Sequence, residues 1–103
     1  MKYLRSFFST FFAALANGQV KIKNYYAARW LAKLAMNLAF EPYSYTMAHA
    51  VTAKTENIKK NYDLVLNNIE SSLSYIDQTE EIQGFNEIIR MKAELVKLRE
   101  NIQ

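Results

Sequence analysis

Apolar residues recur along this chain at intervals of three and four, the spacing that places them on one face of an α-helix. Asn24 is the expected N-cap of one helix, and Pro42 ends that helix because proline disfavours helical geometry in the residue before it. The stretch 19–23 is interpreted as a connector, since a lone strand has no partner to pair with. We therefore expect an all-α fold. Its four predicted helices cover residues 3–16, 25–41, 44–76 and 79–103.

The third predicted helix has the most regular pattern, an apolar seam sustained for about four heptads. A continuous helix over 44–76 is about 50 Å long, whereas a compact chain of this length has a radius of gyration of about 13 Å. We therefore expect an elongated helical hairpin or bundle, with the fourth helix folded back on the long third one and the core completed by oligomerisation. A break in the long helix is the alternative. The seam consists of Ala48, Val51, Thr55, Ile58, Tyr62, Val65, Ile69, Ser72 and Ile76.

The second predicted helix is apolar on almost every side, so it must be buried. It is expected either as the central helix of a bundle or as a face for self-association. Together with positions on the third and fourth helices, it supplies seven apolar side chains predicted to contact a protein partner. These are Trp30, Leu34, Leu38, Val65, Ile69, Leu95 and Leu98.

Charged residues flank the apolar seam of the fourth helix at the heptad positions that pair two parallel coiled-coil strands. In such a dimer, Glu87 of one copy faces Lys92 of the other, and Glu94 faces Arg99. Exposed pairs of this kind contribute well under about 1 kcal/mol each, so they select an orientation rather than stabilise it strongly. Packing of the same seam within one chain is the alternative.

Four phenylalanines gather on one side of the first predicted helix, opposite two cations. In one interpretation the rings belong to the core, where each contributes about 2 kcal/mol on burial. In the other they contact a membrane interface with the helix lying in its plane. The phenylalanines are Phe7, Phe8, Phe11 and Phe12, and the cations are Lys2 and Arg5.

The same segment has features of a secretory signal, with a basic start and small residues at positions 14 and 16. A cleaved signal is not expected, because the apolar stretch is short and polar residues share one face of it. No stretch reaches the roughly 20 apolar residues that span a bilayer as a helix. The polar residues are Ser6, Ser9 and Thr10.

Charge divides the chain of 103 residues into two unequal halves. Residues 1–55 have seven basic residues and one acidic residue, a net +6, and hold 11 of the 14 aromatic residues; residues 56–103 have a net charge of −3. Cations interleaved with aromatic rings favour nucleic-acid binding in principle, but no recognition motif accompanies them. Nucleic acid is therefore the weakest partner hypothesis. The residues concerned are Lys21, Lys23, Tyr25, Tyr26, Arg29, Trp30 and Lys33.

Residues able to carry catalysis or bind a cofactor are scarce. His49 is the one histidine and the chain has no cysteine, so neither a metal site nor a nucleophile with its base is predicted. The acidic residues Glu56, Asp63, Glu70 and Asp77 repeat every seventh position, about 10 Å apart along a helix, which is too far to share one ion. We expect no enzyme activity, cofactor, metal or small-molecule substrate.

Residues 1–103 are interpreted as one helical domain, with a basic, aromatic-rich helical pair over 1–41 and a long hairpin over 42–103. The predicted function is a non-enzymatic assembly or adaptor subunit that binds protein partners, including copies of itself, through apolar helix faces. The alternative is a peripheral membrane protein anchored by its phenylalanine-rich first helix. The expected location is the cytoplasm, at a membrane surface or within a larger assembly.

Overall fold

Small residues bring the first two helices together. In the computed structural model, which describes the backbone of residues 2–103 and the side chains of residues 4–103, α1 covers Lys2–Lys21 and α2 covers Tyr25–Leu38. The two helices are antiparallel. The hydroxyl of Ser9 donates to the carbonyl of Ala35 at 2.6 Å, and the guanidinium of Arg5 donates to the carbonyl of Asn37 at 2.9 Å. Buried alanines on both helices allow this close approach. They are Ala13, Ala16, Ala28, Ala32 and Ala35.

The ends of these helices differ from the sequence prediction. The first helix continues through Asn17 and Gly18 to Lys21, so most of the predicted connector is helical. The second helix ends three residues early because Ala39 has extended backbone, with φ −60° and ψ 136°. Glu41 instead caps the next helix. Its carboxylate accepts hydrogen bonds from the backbone amides of Tyr43 and Ser44. The side chains of residues 1–3, including the predicted polar-face residue Lys2, lie outside the described residues.

Helix α3 (Pro42–Ile58) lies at the centre of the fold, against α1 and α2 on one side and α4 (Tyr62–Gln78) on the other. Of the two alternatives for the third predicted helix over 44–76, the break is the one present, because the chain turns at residues 59–61 and α4 runs back along α3. Two hydrogen bonds fix the antiparallel register. Ser72 donates to the carbonyl of Thr46 at 3.0 Å, and His49 Nδ1 lies 2.9 Å from Asn68 Oδ1. The two halves of the predicted seam therefore lie on helices that pack against each other.

The predicted fourth helix is also divided. A single turn, α5 (Glu80–Gln83), precedes α6 (Asn86–Ile102), which folds back along α4 as predicted for this hairpin. Ion pairs join the two helices. Lys92 lies 3.7 Å from Asp77, and Arg99 donates to Glu70 at 2.9 Å.

Two apolar clusters form the core, one between α1, α2 and α3 and the other between α3, α4, α5 and α6, and Met47 packs against both. The all-α prediction is confirmed, and no strand occurs within residues 2–103. Within the described backbone, six helices replace the four predicted. The elongated shape is wrong: the radius of gyration is 12.5 Å and the longest dimension is 35 Å. Completion of the core by a second copy stays a prediction.

Two turns with the same geometry end α1 and α3. In each turn a lysine has the left-handed backbone conformation, Lys23 with φ 58° and Lys60 with φ 60°. The amide after it donates back to the last helical turn, from Asn24 to Gln19 and from Asn61 to Glu56. Glycine usually fills this position. The conformation costs a non-glycine residue about 1–2 kcal/mol, more than the roughly 0.3–1 kcal/mol that a cation gains from a helix C-terminus.

Candidate docking surface

The amphipathic pattern of α1 is inverted relative to an ordinary surface helix. Its small face, with Ser9, Ala13 and Ala16, is buried against neighbouring helices. Its bulky face points to solvent, and Phe7 is 63% exposed. Phe12 alone among the four phenylalanines is half-buried and packs against the core. The structure therefore does not support the interpretation of Phe7, Phe8 and Phe11 as core residues.

The exposed apolar side chains lie along one face of α1, and this set is here called the apolar row. Helical spacing places them on that face from the first turns of α1 to Leu15, and Ile22 follows two turns later, just after the helix ends. At 1.5 Å per residue the row is about 27 Å long. The phenylalanine rings contact one another along it, with centroids 5.6 Å apart for Phe7 and Phe8 and 6.4 Å apart for Phe7 and Phe11. The row consists of Leu4, Phe7, Phe8, Phe11, Leu15 and Ile22.

A buried carboxylate fixes the structure near the Ile22 end of the apolar row. Glu56 is only 4% exposed. Its carboxylate accepts hydrogen bonds from the side-chain amide of Asn61 at 2.7 Å and from the Tyr25 hydroxyl at 3.3 Å. It also lies 3.6 Å from Nε of Arg29. Burial, followed by the negative charge of Glu56, raises the pKa of Tyr25 above the ordinary 10.0 of a phenol. This network joins the start of α2 to the turn between α3 and α4.

Cations surround the tyrosines at this end. The ammonium of Lys59 lies 5.2 Å from the ring centre of Tyr25 and 5.8 Å from that of Tyr26, and the guanidinium of Arg29 lies 5.7 Å from Tyr25. Both left-handed lysines are in the two turns that meet here. We call this region the basic end. It comprises Lys21, Lys23, Arg29, Lys59 and Lys60.

The residues predicted to contact a partner divide into two groups. Val65, Ile69 and Leu95 are fully buried in the chain's own core, and Leu98 is half-buried against it. In the second helix, Trp30 is 63% exposed while Leu34 and Leu38 are half-buried. Only this second group lies at the surface of α2.

The charged residues predicted to pair two copies have partners within the chain. Lys92 pairs with Asp77 and Arg99 with Glu70 across α4 and α6, while Glu94 pairs with Lys54 of α3. Glu87 is exposed beside an open cleft. Because the seam of Ile88, Met91 and Leu95 is buried in the core, these charges flank an intramolecular contact.

His49 packs between α3 and α4. Its ring stacks on Tyr75 at 5.9 Å, and Tyr75 stacks on Tyr45 at 5.2 Å. Within the described part of the chain, no cluster of three or more histidine or acidic side chains is arranged to hold a metal ion.

Sequence reasoning missed two contributors to this surface. Ile22 continues the spacing of Leu4, Phe11 and Leu15 but follows Asn17 and Gly18, which were expected to end the helix. Lys59 and Lys60 lie in the predicted long helix and join the basic end only because that helix breaks. The signal available was the run of polar residues from Lys59 to Asn61 after a β-branched and polar stretch.

Among residues 2–103, none of the helices is both long and apolar enough to cross a membrane. No protein-family model, curated protein or solved structure matches this chain.

Proposed function

We propose that this chain is a non-enzymatic peripheral membrane protein that docks by laying α1 into the interface of a lipid bilayer. One observation carries the proposal: the apolar row is exposed, while the opposite face of the same helix is already covered by α2 and α3. A helix with phenylalanine and leucine along one side lies in the interface plane with that side among the acyl chains. The other helices then remain on the aqueous side.

The size of the row supports a functional role. With about 200 Å² for each large side chain, its exposed fractions correspond to on the order of 600 Å² of apolar surface. This is at the upper end of the largest patch on an ordinary monomer, and patches of that size are often functional. From Leu4 to Leu15 the row contains no charged side chain.

A lipid surface fits this face better than a second copy does. In a two-fold contact through the row, Lys21 and Lys23 meet the same lysines of the second copy if the helices are parallel, or the end that carries Arg5 if they are antiparallel. Cations approach cations in both arrangements. Lys21 and Lys23 are exposed and, within the described side chains, neither has an acidic partner. The anionic headgroups of a bilayer, in contrast, attract these lysines.

Replacing both Phe7 and Phe11 with serine should abolish most membrane binding. Each ring is exposed by about half, so its transfer into the bilayer contributes about 1 kcal/mol. The double variant should therefore partition at least tenfold less into vesicles of mixed zwitterionic and anionic phospholipid, measured by flotation. Its circular dichroism and thermal midpoint should change little because neither ring belongs to the core.

The matched control is the double variant Leu64→Ser with Ile89→Ser. These side chains are 45% and 54% exposed on α4 and α6, outside the apolar row. Flotation of this control should equal that of the unaltered chain. An unaltered chain that remains with the unbound fraction, or two double variants that lose binding equally, would contradict the proposal.

Assembly with a protein partner is a second candidate, and a different surface favours it. Ile89, Ala93 and Val96 border an open cleft of about 640 Å³ between α4, α5 and α6. Lys97 and Glu100 give the rim both signs of charge, as at protein interfaces with complementary potentials. If this cleft joins copies, light scattering at tens of micromolar protein should give a mass above 12.0 kDa, and Ile89→Arg should restore the monomer. A monomeric mass for the unaltered chain would contradict the hypothesis of self-association through the cleft.

A further inference from the structure

The basic end gathers its cations from two turns that are far apart in sequence. The turn after α1 supplies Lys21 and Lys23, and the turn after α3 supplies Lys59 and Lys60. Lys59 lies over the rings of Tyr25 and Tyr26, which follow directly after the first turn, so the two turns meet at one end of the molecule.

The acidic residues near this cluster do not neutralise it. Glu56 is buried and already bonded to Tyr25, Asn61 and Arg29, so it holds the turns together from inside. Arg29 is paired with Glu56, and Lys21 borders a cleft that Glu87 and Glu94 also line. Lys23, Lys59 and Lys60 are therefore the cations left beside the exposed Asp63 in the first turn of α4.

The backbone of the two turns gives a second, independent observation. Both left-handed positions hold lysine where glycine would relieve the strain. Strained residues persist only where the surrounding structure holds them, and they cluster at binding sites. Lysine occupies the left-handed position in both turns, and the two turns meet, so both lysines are placed at the basic end.

Continuity with the apolar row identifies the ligand. Ile22, the last member of the row, is 69% exposed and lies between Lys21 and Lys23. Tyr26, next to the same turn, is 79% exposed. Apolar side chains interleaved with cations match a bilayer interface, where acyl chains lie directly beneath phosphate groups.

From this arrangement we infer that the basic end binds the phosphate groups of anionic phospholipids while the apolar row enters the same leaflet. The inference rests on the proposed membrane function and adds lipid selectivity to it. The row supplies affinity for any bilayer interface. The lysines supply preference for negatively charged bilayers and sensitivity to salt.

The double variant Lys23→Gly with Lys60→Gly tests the inference, because glycine suits both backbones. Its thermal midpoint should stay the same or rise, which excludes misfolding as the cause of a loss. Its partitioning into vesicles containing phosphatidylglycerol should fall roughly 30-fold at low salt. Its partitioning into pure phosphatidylcholine vesicles should not change. The control Lys92→Gln with Lys97→Gln removes the same charge from α6 and should bind as the unaltered chain does.

Each result separates the two proposals. Equal binding of the unaltered chain to both vesicle types, with no effect of the glycine variant, overturns lipid selectivity and leaves the proposed function standing. No binding to either vesicle overturns both. A single-stranded oligonucleotide that binds the basic end and competes away the vesicles would also overturn the inference, because it assigns the cations to nucleic acid.

Discussion

Replacing Ile69 with alanine is expected to lower the free energy of unfolding by about 3–4 kcal/mol. Ile69 is completely buried in the cluster between α3, α4, α5 and α6. Its removal leaves a cavity in addition to losing the transfer free energy of three carbon atoms. Since small domains are stable by only about 5–15 kcal/mol, the loss is a large part of the total. Urea unfolding followed by circular dichroism measures it.

The comparison with Leu64→Ala makes this experiment decisive. Leu64 lies on the same helix and is 45% exposed, so its truncation should cost less than about 1 kcal/mol. Sequence alone assigned Ile69 to an intermolecular seam. If neither substitution changed the stability of the monomeric chain, Ile69 would not belong to the chain's own core. Its side chain would then be available to contact a partner, as the sequence predicted.

Replacing Ala35 with leucine is expected to destabilise the chain by about 2–3 kcal/mol, because overpacking a tight contact forces the backbones apart. Ala35 is fully buried, and its carbonyl accepts the hydrogen bond from Ser9. Three additional carbon atoms have no space between α1 and α2. The thermal midpoint should fall and the amides of α1 should exchange faster with solvent deuterium.

Asn37→Leu is the control for this change, since Asn37 lies on the exposed side of α2. It adds an apolar side chain to the same helix without entering the contact and should leave stability within about 0.5 kcal/mol. If Ala35→Leu were tolerated as well as the control, α1 and α2 would not pack through their small faces.

Periodicity predicted the helical character of the chain and, in α4 and α6, which residues face a neighbour. It did not predict which neighbour. Val65 and Ile69 lie on a heptad seam that has the same sequence whether its partner is another chain or α3 of the same chain. The reversal at Lys60 decides between them, and left-handed backbone at a lysine has no sequence signal comparable to glycine.

The orientation of α1 could not be predicted from its sequence for a related reason. An amphipathic pattern identifies two faces but not which of them is covered. Burying Phe7 and Phe11 is the ordinary expectation, yet Ser9 and Ala13 are buried instead. The small face is chosen because the alanines of α2 complement it, and that complementarity depends on two segments together rather than on either pattern alone. The cations of the basic end are likewise assembled only by the fold.

The inversion of α1 also bears on how this sequence can diverge. Folding depends on the small side of the helix and the proposed membrane attachment on the other, so substitutions at Phe7, Phe8 or Phe11 should change that attachment and leave the stability of the fold unchanged. Substitutions at Ser9, Ala13 or Ala16 should have the reverse effect. Under this proposal, sequences that diverge from this chain can gain or lose membrane binding within a few substitutions while the fold is retained.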